Sequence, residues 1–167
     1  MPAGATHAFR LWNEVGYTTG LIGKNHCFEQ EQDLALFDVW NDVSHGGNNP
    51  DQIRGMEWWR PQEGRDRVRE AFRAMQPQNP RFAYGTTDLP LEDQSSGLIA
   101  GQTVRFMEKH RDEPFALWVS FPDPHEPWLV AEQYAAMFPA DKIDLPPGRE
   151  GEFDDDRAPE RNRALYK

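Results

Sequence analysis

The sequence predicts an α/β fold in which helices flank a mostly parallel sheet. Apolar residues recur with helical spacing from His7 to about Val15, and a β-rich run, Tyr17–Ile22, follows after one glycine. A second predicted helix, from Gly97 to about His110, precedes the nearly all-apolar run Phe115–Phe121. A continuous apolar run is typical of a strand covered on both faces, as in a parallel sheet between two helix layers. Two helix-to-strand units therefore indicate this fold class.

The residues at the ends of these helices fit the same prediction. Thr6 is a candidate cap for the first helix, and Ser95 or Ser96 for the second, because their hydroxyls can accept hydrogen bonds from free backbone N–H groups. The second helix ends in Lys109-His110-Arg111, and cations favour the negative end of a helix dipole. His110 is therefore interpreted as a helix terminator rather than as a ligand.

Weaker patterns predict the other elements. In chain order they are a strand (Leu34–Trp40), a loop (Ser44–Pro50), a helix (Gly64–Met75), an irregular connection (Gln76–Pro90) and a short helix (Ala131–Phe138). His45, in the loop, precedes two glycines and could approach a ligand, although a flexible surface loop is the simpler interpretation.

Composition limits the classes of protein that fit. With 167 residues, 38% of them hydrophobic, and six tryptophans, the chain has the content of one globular domain. Its formal net charge of −10 disfavours binding to nucleic acid or to an anionic membrane. No apolar run approaches the ~18 residues that cross a bilayer, and the first residues lack signal-peptide features, so cytoplasm and periplasm both stay open. Cys27 is the only cysteine, which excludes an internal disulfide bond.

The first candidate functional stretch lies where the strand Tyr17–Ile22 ends. Lys24 and His26 follow it, and if the strand direction continues past Gly23 their side chains point to the same side. Open α/β sheets bind ligands at the carboxyl ends of their strands. A permanent cation beside a titratable imidazole suits an anion that must be bound and then protonated or deprotonated. The alternative is a solvated strand end.

The second candidate stretch is a loop framed by prolines. The segment Pro122–Trp128 follows the apolar run, and prolines alternate in it with polar residues. Because proline fixes backbone dihedrals, His125, between Pro124 and Pro127, is held in position at low entropic cost. This pattern favours a functional imidazole; the alternative is that His125 only packs on Trp128.

Together the two stretches resemble the sulfatase family of the alkaline-phosphatase superfamily. The resemblance rests on Gly16-Tyr17-x-Thr19-x-x-x-Gly23-Lys24-x-His26 and, about a hundred residues later, on Pro124-His125-x-Pro127. The variant Ile22-Gly23-Lys24-Asn25-His26 with Phe121-x-Asp123-Pro124-His125 is most similar to the heparan N-sulfatase (sulfamidase) type and its bacterial sulfatase-like relatives. The similarity extends from about Ala5 to Lys167.

The resemblance implies a metal-dependent hydrolase of sulfuric, sulfamic or phosphoric esters, with calcium or another divalent metal as cofactor. Its substrate is expected to be a small anionic ester, such as a sulfated sugar. By the same analogy Lys24 holds the oxyanion and the nucleophile, and His26 assists proton transfer at the nucleophile. His125 contacts the sulfuryl oxygens near the leaving group. All three groups act where negative charge must be stabilised.

The resemblance also shows which parts of such an enzyme the sequence lacks. The family's nucleophile is a formylglycine made from Cys or Ser in a Cys/Ser-x-Pro-x-Arg motif upstream of the lysine, whereas Cys27 follows the lysine and precedes Phe28-Glu29-Gln30. The early aspartate pair and the late Asp-Asn or Asp-His pair that bind the metal are absent from the sequence. We therefore expect residues 1–167 to be a single, incomplete sulfatase-like catalytic domain, an internal fragment that is inactive alone.

Two other hypotheses stay open. The chain is either a non-catalytic anion-binding module (a pseudoenzyme), or a scaffold in which Lys24, His26 and His125 are structural. An in-frame Cys/Ser-x-Pro-x-Arg upstream of Met1 would favour the fragment, and a stop codon followed by a ribosome-binding site would favour the module. A parallel sheet without its neighbours exposes strand edges, so we expect the isolated chain to be marginally folded or to form a homo-oligomer.

Overall fold

The computed structural model confirms the α/β class and describes residues 5–28, 31–44, 47–55, 62–75, 84–144 and 147–148. The helices are α1 (Ala8–Glu14), α2 (Glu31–Leu34), α3 (Gln62–Met75), α4 (Ser95–Lys109) and α5 (Glu132–Ala135). The strands are β1 (Thr18–Gly23), β2 (Val39–Ser44), β3 (Gly47–Arg54), β4 (Tyr84–Thr87), β5 (Phe115–Ser120) and β6 (Trp128–Ala131). Short 3₁₀ turns cover Leu91–Asp93 and Ala140–Lys142.

The chain forms two compact units, Met1–Ala135 and Ala136–Lys167. The helices and strands named above belong to the first unit, and the described part of the second contains the turn Ala140–Lys142. None of the helices in the described ranges has the length and apolar content needed to cross a membrane.

The main sheet has four strands in the order β3-β2-β1-β5. β1 pairs in parallel with β2 and with β5, whereas β3 runs antiparallel to β2. β4 and β6 form a separate parallel pair. Because β1, β2 and β5 run in the same direction, their last residues lie at one edge of the sheet, which we call the carboxyl edge.

Two apolar cores cover opposite faces of this sheet. Successive side chains of a strand point to opposite faces, and the neighbours Leu21 and Ile22 accordingly belong to different cores. The α1-side core consists of Phe9, Leu21, Phe28, Phe37 and Ala116. The α4-side core consists of Ile22, Val39, Val43, Ile99 and Phe106. Since burying each large apolar side chain contributes roughly 1.5–3 kcal/mol, these cores hold α1 and α4 on the two sides of β1.

The two main predicted helices are confirmed, but their N-caps differ by one residue from the prediction. His7, not Thr6, caps α1, because its Nδ1 accepts a hydrogen bond from the Arg10 N–H at 3.3 Å. In α4 the N-cap residue is Gln94, which makes no side-chain cap bond. The serines that were predicted to cap this helix lie inside its first turn.

The strand predicted over Leu34–Trp40 is wrong for most of that segment. α2 and a helical turn occupy its start, where the Ala35 N–H donates to Glu31 O at 2.8 Å. An ion pair of 3.1 Å between Arg10 and the buried Asp33 fixes α2 against α1. These contacts outweigh the preference of the apolar residues for a strand, and β2 begins only at Val39.

Other boundaries are partly confirmed. The loop predicted over Ser44–Pro50 is wrong from Gly47 onward, because β3 begins there and gains ladder bonds from β2; His45 lies outside the described residues. The helix predicted over Gly64–Met75 is confirmed as α3. The connection predicted to be irregular contains β4, and its residues 76–83 lie outside the described ranges. The last predicted helix is shorter and corresponds to α5.

The prediction that β5 is covered on both faces holds only for its first residues, because Ala116 belongs to the α1-side core while Phe115 and Leu117 pack against the α4-side core. In the described part of the chain β5 pairs only with β1, so it lies at one end of the strand order. Near the end of the strand, Trp118 and Val119 remain 37% and 36% exposed. Beside them lies an apolar groove of about 780 Å³, whose lining includes Phe9, Trp12 and Phe28.

We expect this end of the sheet to cause self-association, because an exposed strand edge with apolar side chains pairs readily with another copy. Val119→Lys places a charge on β5 and is expected to shift the chain toward monomer in sedimentation velocity. Val104→Lys, at a position on α4 that is 54% exposed, is the matched control and should leave association unchanged. A wild-type chain that stays monomeric at every concentration would contradict this expectation.

Candidate functional site

The strand that leads to the first candidate stretch ends at Gly23, where φ is 107°. Residues with side chains rarely adopt this backbone conformation, and the chain turns there instead of continuing as a strand. The expectation that Lys24 and His26 alternate along a continuing strand is therefore wrong. Both residues still follow β1 at the carboxyl edge, with Lys24 half-buried and His26 exposed.

Asn25 closes the turn that replaces the strand. Its Oδ1 accepts hydrogen bonds from the N–H groups of Cys27 and Phe28 at 3.1 and 3.0 Å, and its Nδ2 donates to Phe28 O at 2.7 Å. Such side-chain-to-backbone bonds are the reason asparagine is common in turns. Phe28 is only 4% exposed and belongs to the α1-side core. The Lys24–Phe28 turn is thus attached to the sheet at one end and to a core at the other.

β1 and β5 end in direct contact. Gly23 pairs with Ser120 in the parallel ladder, and the next N–H, that of Lys24, donates to Ser120 O at 2.9 Å. A Cβ atom on Gly23 would lie 1.9 Å from that oxygen, so a side chain here is incompatible with this approach. The segments that carry Lys24 and His125 therefore leave the sheet side by side.

The loop that follows β5 is fixed by its own hydrogen bonds. The His125 N–H donates to Pro122 O at 3.0 Å, and the indole N–H of Trp128 donates to Pro124 O at 2.8 Å. The loop contains neither helix nor strand before β6 begins. The predicted irregular conformation of this segment is confirmed.

The first turn of α4 lies against both segments. The Ser96 hydroxyl donates to the Asp123 carboxylate in the loop after β5. The Ile99 Cδ1 lies 3.2 Å from the position that a Cβ on Gly23 would occupy. The Asp123 carboxylate therefore lies at the N-terminal end of α4, where the helix dipole favours a negative charge.

The imidazole of His125 has one nitrogen engaged with the backbone. Its Nδ1 lies 2.6 Å from Glu126 O, and because a carbonyl oxygen only accepts, Nδ1 carries the hydrogen. In the neutral ring Nε2 is then the basic nitrogen, and in the protonated ring it is a second donor. The side chain is 55% exposed, and the Glu126 carboxylate lies 3.4 Å from Nδ1. The ring can therefore donate a proton to, or accept one from, a bound group.

Asp42 is a site residue that the sequence did not reveal. It lies near the end of β2, directly opposite Gly23 in the ladder, and is half-buried. Its carboxylate accepts a hydrogen bond from the backbone N–H of Asn25. Burial raises the pKa of the Asp42 carboxyl above its usual range, while the Asn25 N–H and the nearby His26 lower it. The alternating residues Val39, Asn41 and Val43 could have indicated a strand that contains Asp42. The predicted strand lay earlier in the chain and ended before Asp42.

The other histidine that the sequence analysis discussed lies elsewhere. His110 is the C-cap of α4, as predicted, and its N–H donates to Phe106 O at 3.0 Å. Its Nδ1 is bonded to the Glu113 carboxylate just before β5 begins. It therefore lies at the opposite end of β5 from His125 and terminates a helix.

The resemblance implies a calcium ion whose ligands are expected to lie outside these 167 residues. Among the described residues, no group of three or more His, Cys, Asp or Glu side chains could hold a metal ion.

Comparisons with known proteins add no family assignment. No protein-family model matches this chain, and no curated protein matches it at a significant level. The sulfatase resemblance therefore rests on the two motifs, and it is carried forward as a proposal.

Proposed function

We propose that the chain is the part of a sulfatase-like hydrolase that holds the ester's anionic group. One observation carries the proposal: Gly23 pairs with Ser120, and the Lys24 N–H bonds to Ser120 O at 2.9 Å. This contact brings together two motifs that lie about a hundred residues apart in the sequence.

The proposed roles follow from the chemistry of the three side chains. The Lys24 ammonium neutralises the substrate oxyanion, and the half-buried position strengthens this attraction relative to open solvent. His26 transfers a proton at the nucleophile. His125, with Nδ1 held by Glu126 O, offers Nε2 to the oxygens near the leaving group. The substrate is a small ester of sulfuric, sulfamic or phosphoric acid, such as a sulfated sugar.

The proposal predicts that the chain binds inorganic sulfate but does not hydrolyse aryl sulfate or aryl phosphate, even with added calcium or manganese. Removing the nucleophile of a hydrolase typically lowers turnover on the order of a millionfold, which leaves only binding. Sulfate binding is measured by NMR titration, and Lys24→Ala should abolish it while Lys109→Ala, in the last turn of α4, should not.

Two results would count against this proposal. Metal-dependent turnover well above buffer would show that the chain contains its own nucleophile. Sulfate binding that survives Lys24→Ala would place the anion elsewhere. The non-catalytic module is distinguished by the gene, because only the hydrolase predicts an in-frame Cys/Ser-x-Pro-x-Arg upstream of Met1.

A further inference from the structure

Asp42 lies beneath the turn that carries His26. Its neighbour Val43 belongs to the α4-side core, so alternation along β2 directs Asp42 to the opposite face. That is the face on which Phe28, the last residue of the Lys24–Phe28 turn, packs into the α1-side core. The strand and the turn therefore approach each other on one side of the carboxyl edge.

Hydrogen bonds connect Asp42 to this turn. Its carboxylate accepts the backbone N–H of Asn25, the residue immediately before His26. Asn25 in turn bonds through its side chain to the backbone of Cys27 and Phe28. The residues on both sides of His26 are thus fixed by one series of bonds that begins at Asp42.

The charge of Asp42 opposes folding at neutral pH. Burial raises the pKa of this carboxyl above its ordinary value of 3.8, because the ionised form loses solvation. Because the pKa of this acid is higher in the folded chain than in the unfolded chain, the ionised carboxylate destabilises the fold at any pH above its folded-state pKa. The destabilisation disappears below about pH 3.8, where the carboxyl is protonated in both states. Asparagine would also accept the Asn25 N–H, so the backbone bond alone does not require a charged residue.

We propose that Asp42 is a positioning residue for His26, holding its turn and presenting a negative charge to its imidazole while His26 transfers the proton. This inference rests on the proposed hydrolase function. Asp42 touches neither substrate nor nucleophile in this role. It acts through His26, as a carboxylate that orients an imidazole does in many hydrolases.

The first test uses the 167-residue chain and a carbon-detected NMR titration of the Asp42 carboxyl. His26→Gln removes the facing positive charge and is expected to raise the Asp42 pKa further, whereas His125→Gln should leave it unchanged. An Asp42 pKa that does not respond to His26→Gln overturns the proposal. Neither result depends on hydrolysis, so the titration measures the interaction between Asp42 and His26 even if the proposed function is wrong.

The second test compares stability with function. Asp42→Asn is expected to raise the melting temperature at neutral pH, and this gain should disappear on acidification below about 3.8. In a longer protein that carries the nucleophile, which the proposed function requires, the same change should lower kcat roughly tenfold or more and alter its pH profile, a smaller loss than the roughly hundredfold or more expected for the acid–base group itself. If hydrolysis requires His26 but Asp42→Asn leaves kcat and its pH profile unchanged, Asp42 has no positioning role. The proposed function would still stand in that case.

Discussion

Replacing Gly23 with alanine is expected to destabilise the fold by about 3 kcal/mol or more, the combined cost of a strained backbone and an overpacked contact. The φ of 107° is unfavourable for any side chain, and the new Cβ would lie 1.9 Å from Ser120 O. That oxygen belongs to the backbone of the paired strand and cannot rotate away. Because small domains are stable by only about 5–15 kcal/mol, a large part of the total would be lost.

Gly16→Ala is the matched control for this change. Gly16 also has a positive φ, 86°, but no atom lies within 4 Å of its Cβ position. Its substitution should therefore cost only the backbone strain, about 1–2 kcal/mol. Urea denaturation of both variants gives the two free energies of unfolding. Equal losses would show that β1 and β5 do not approach each other as described.

The proposed function requires a longer protein that carries the nucleophile. In that protein each of three variants is expected to lower turnover roughly a hundredfold or more: Lys24→Ala, His26→Ala and His125→Ala. Under the proposed function each variant removes a group that acts on the same ester at the carboxyl edge. The melting temperature should change little, since His26 and His125 are exposed and Lys24 is half-buried. The double variant Lys24→Ala with His125→Ala should lose less than the sum of the single losses, because groups that act together are not additive.

The controls for these variants are Lys109→Ala and His110→Ala. Both residues lie at the end of α4, away from the carboxyl edge, and turnover of the folded protein should stay within a few-fold of wild type. His110→Ala removes a helix cap and a bond to Glu113, so we expect it to lower the stability of the fold rather than turnover. If His110→Ala abolished turnover while His125→Ala left it intact, the site would be wrongly placed.

Features that depend on nearby residues could be predicted from the sequence. Helical spacing gave α3 and α4, and the prolines around His125 indicated a fixed irregular loop. Features that depend on a distant partner could not. The β3 strand forms because β2 supplies its ladder of hydrogen bonds, and the exposure of Trp118 depends on which distant segments pack over that face of β5.

The candidate site shows the same division. Lys24, His26 and His125 were identified from motifs, but the turn at Gly23 depends on a close contact with Ser120, which no local pattern encodes. Asp42 was missed because its strand was placed too early in the chain. Asp42 lies beside the candidate site because it is opposite Gly23 in the ladder between β1 and β2, and the sequence does not show that pairing.

The pairing of β1 with β5 also determines when the site forms during folding. Their paired residues, such as Thr18 and Phe115, are nearly a hundred residues apart, so joining them requires closure of a long loop, which is entropically unfavourable and slows folding. The Lys24–Phe28 turn can form early from its own local bonds, but the Lys24 N–H finds Ser120 O only after β5 is made. The proposed anion site is therefore completed in a late folding step, and a sulfate bound across the two segments would stabilise the folded chain by mass action.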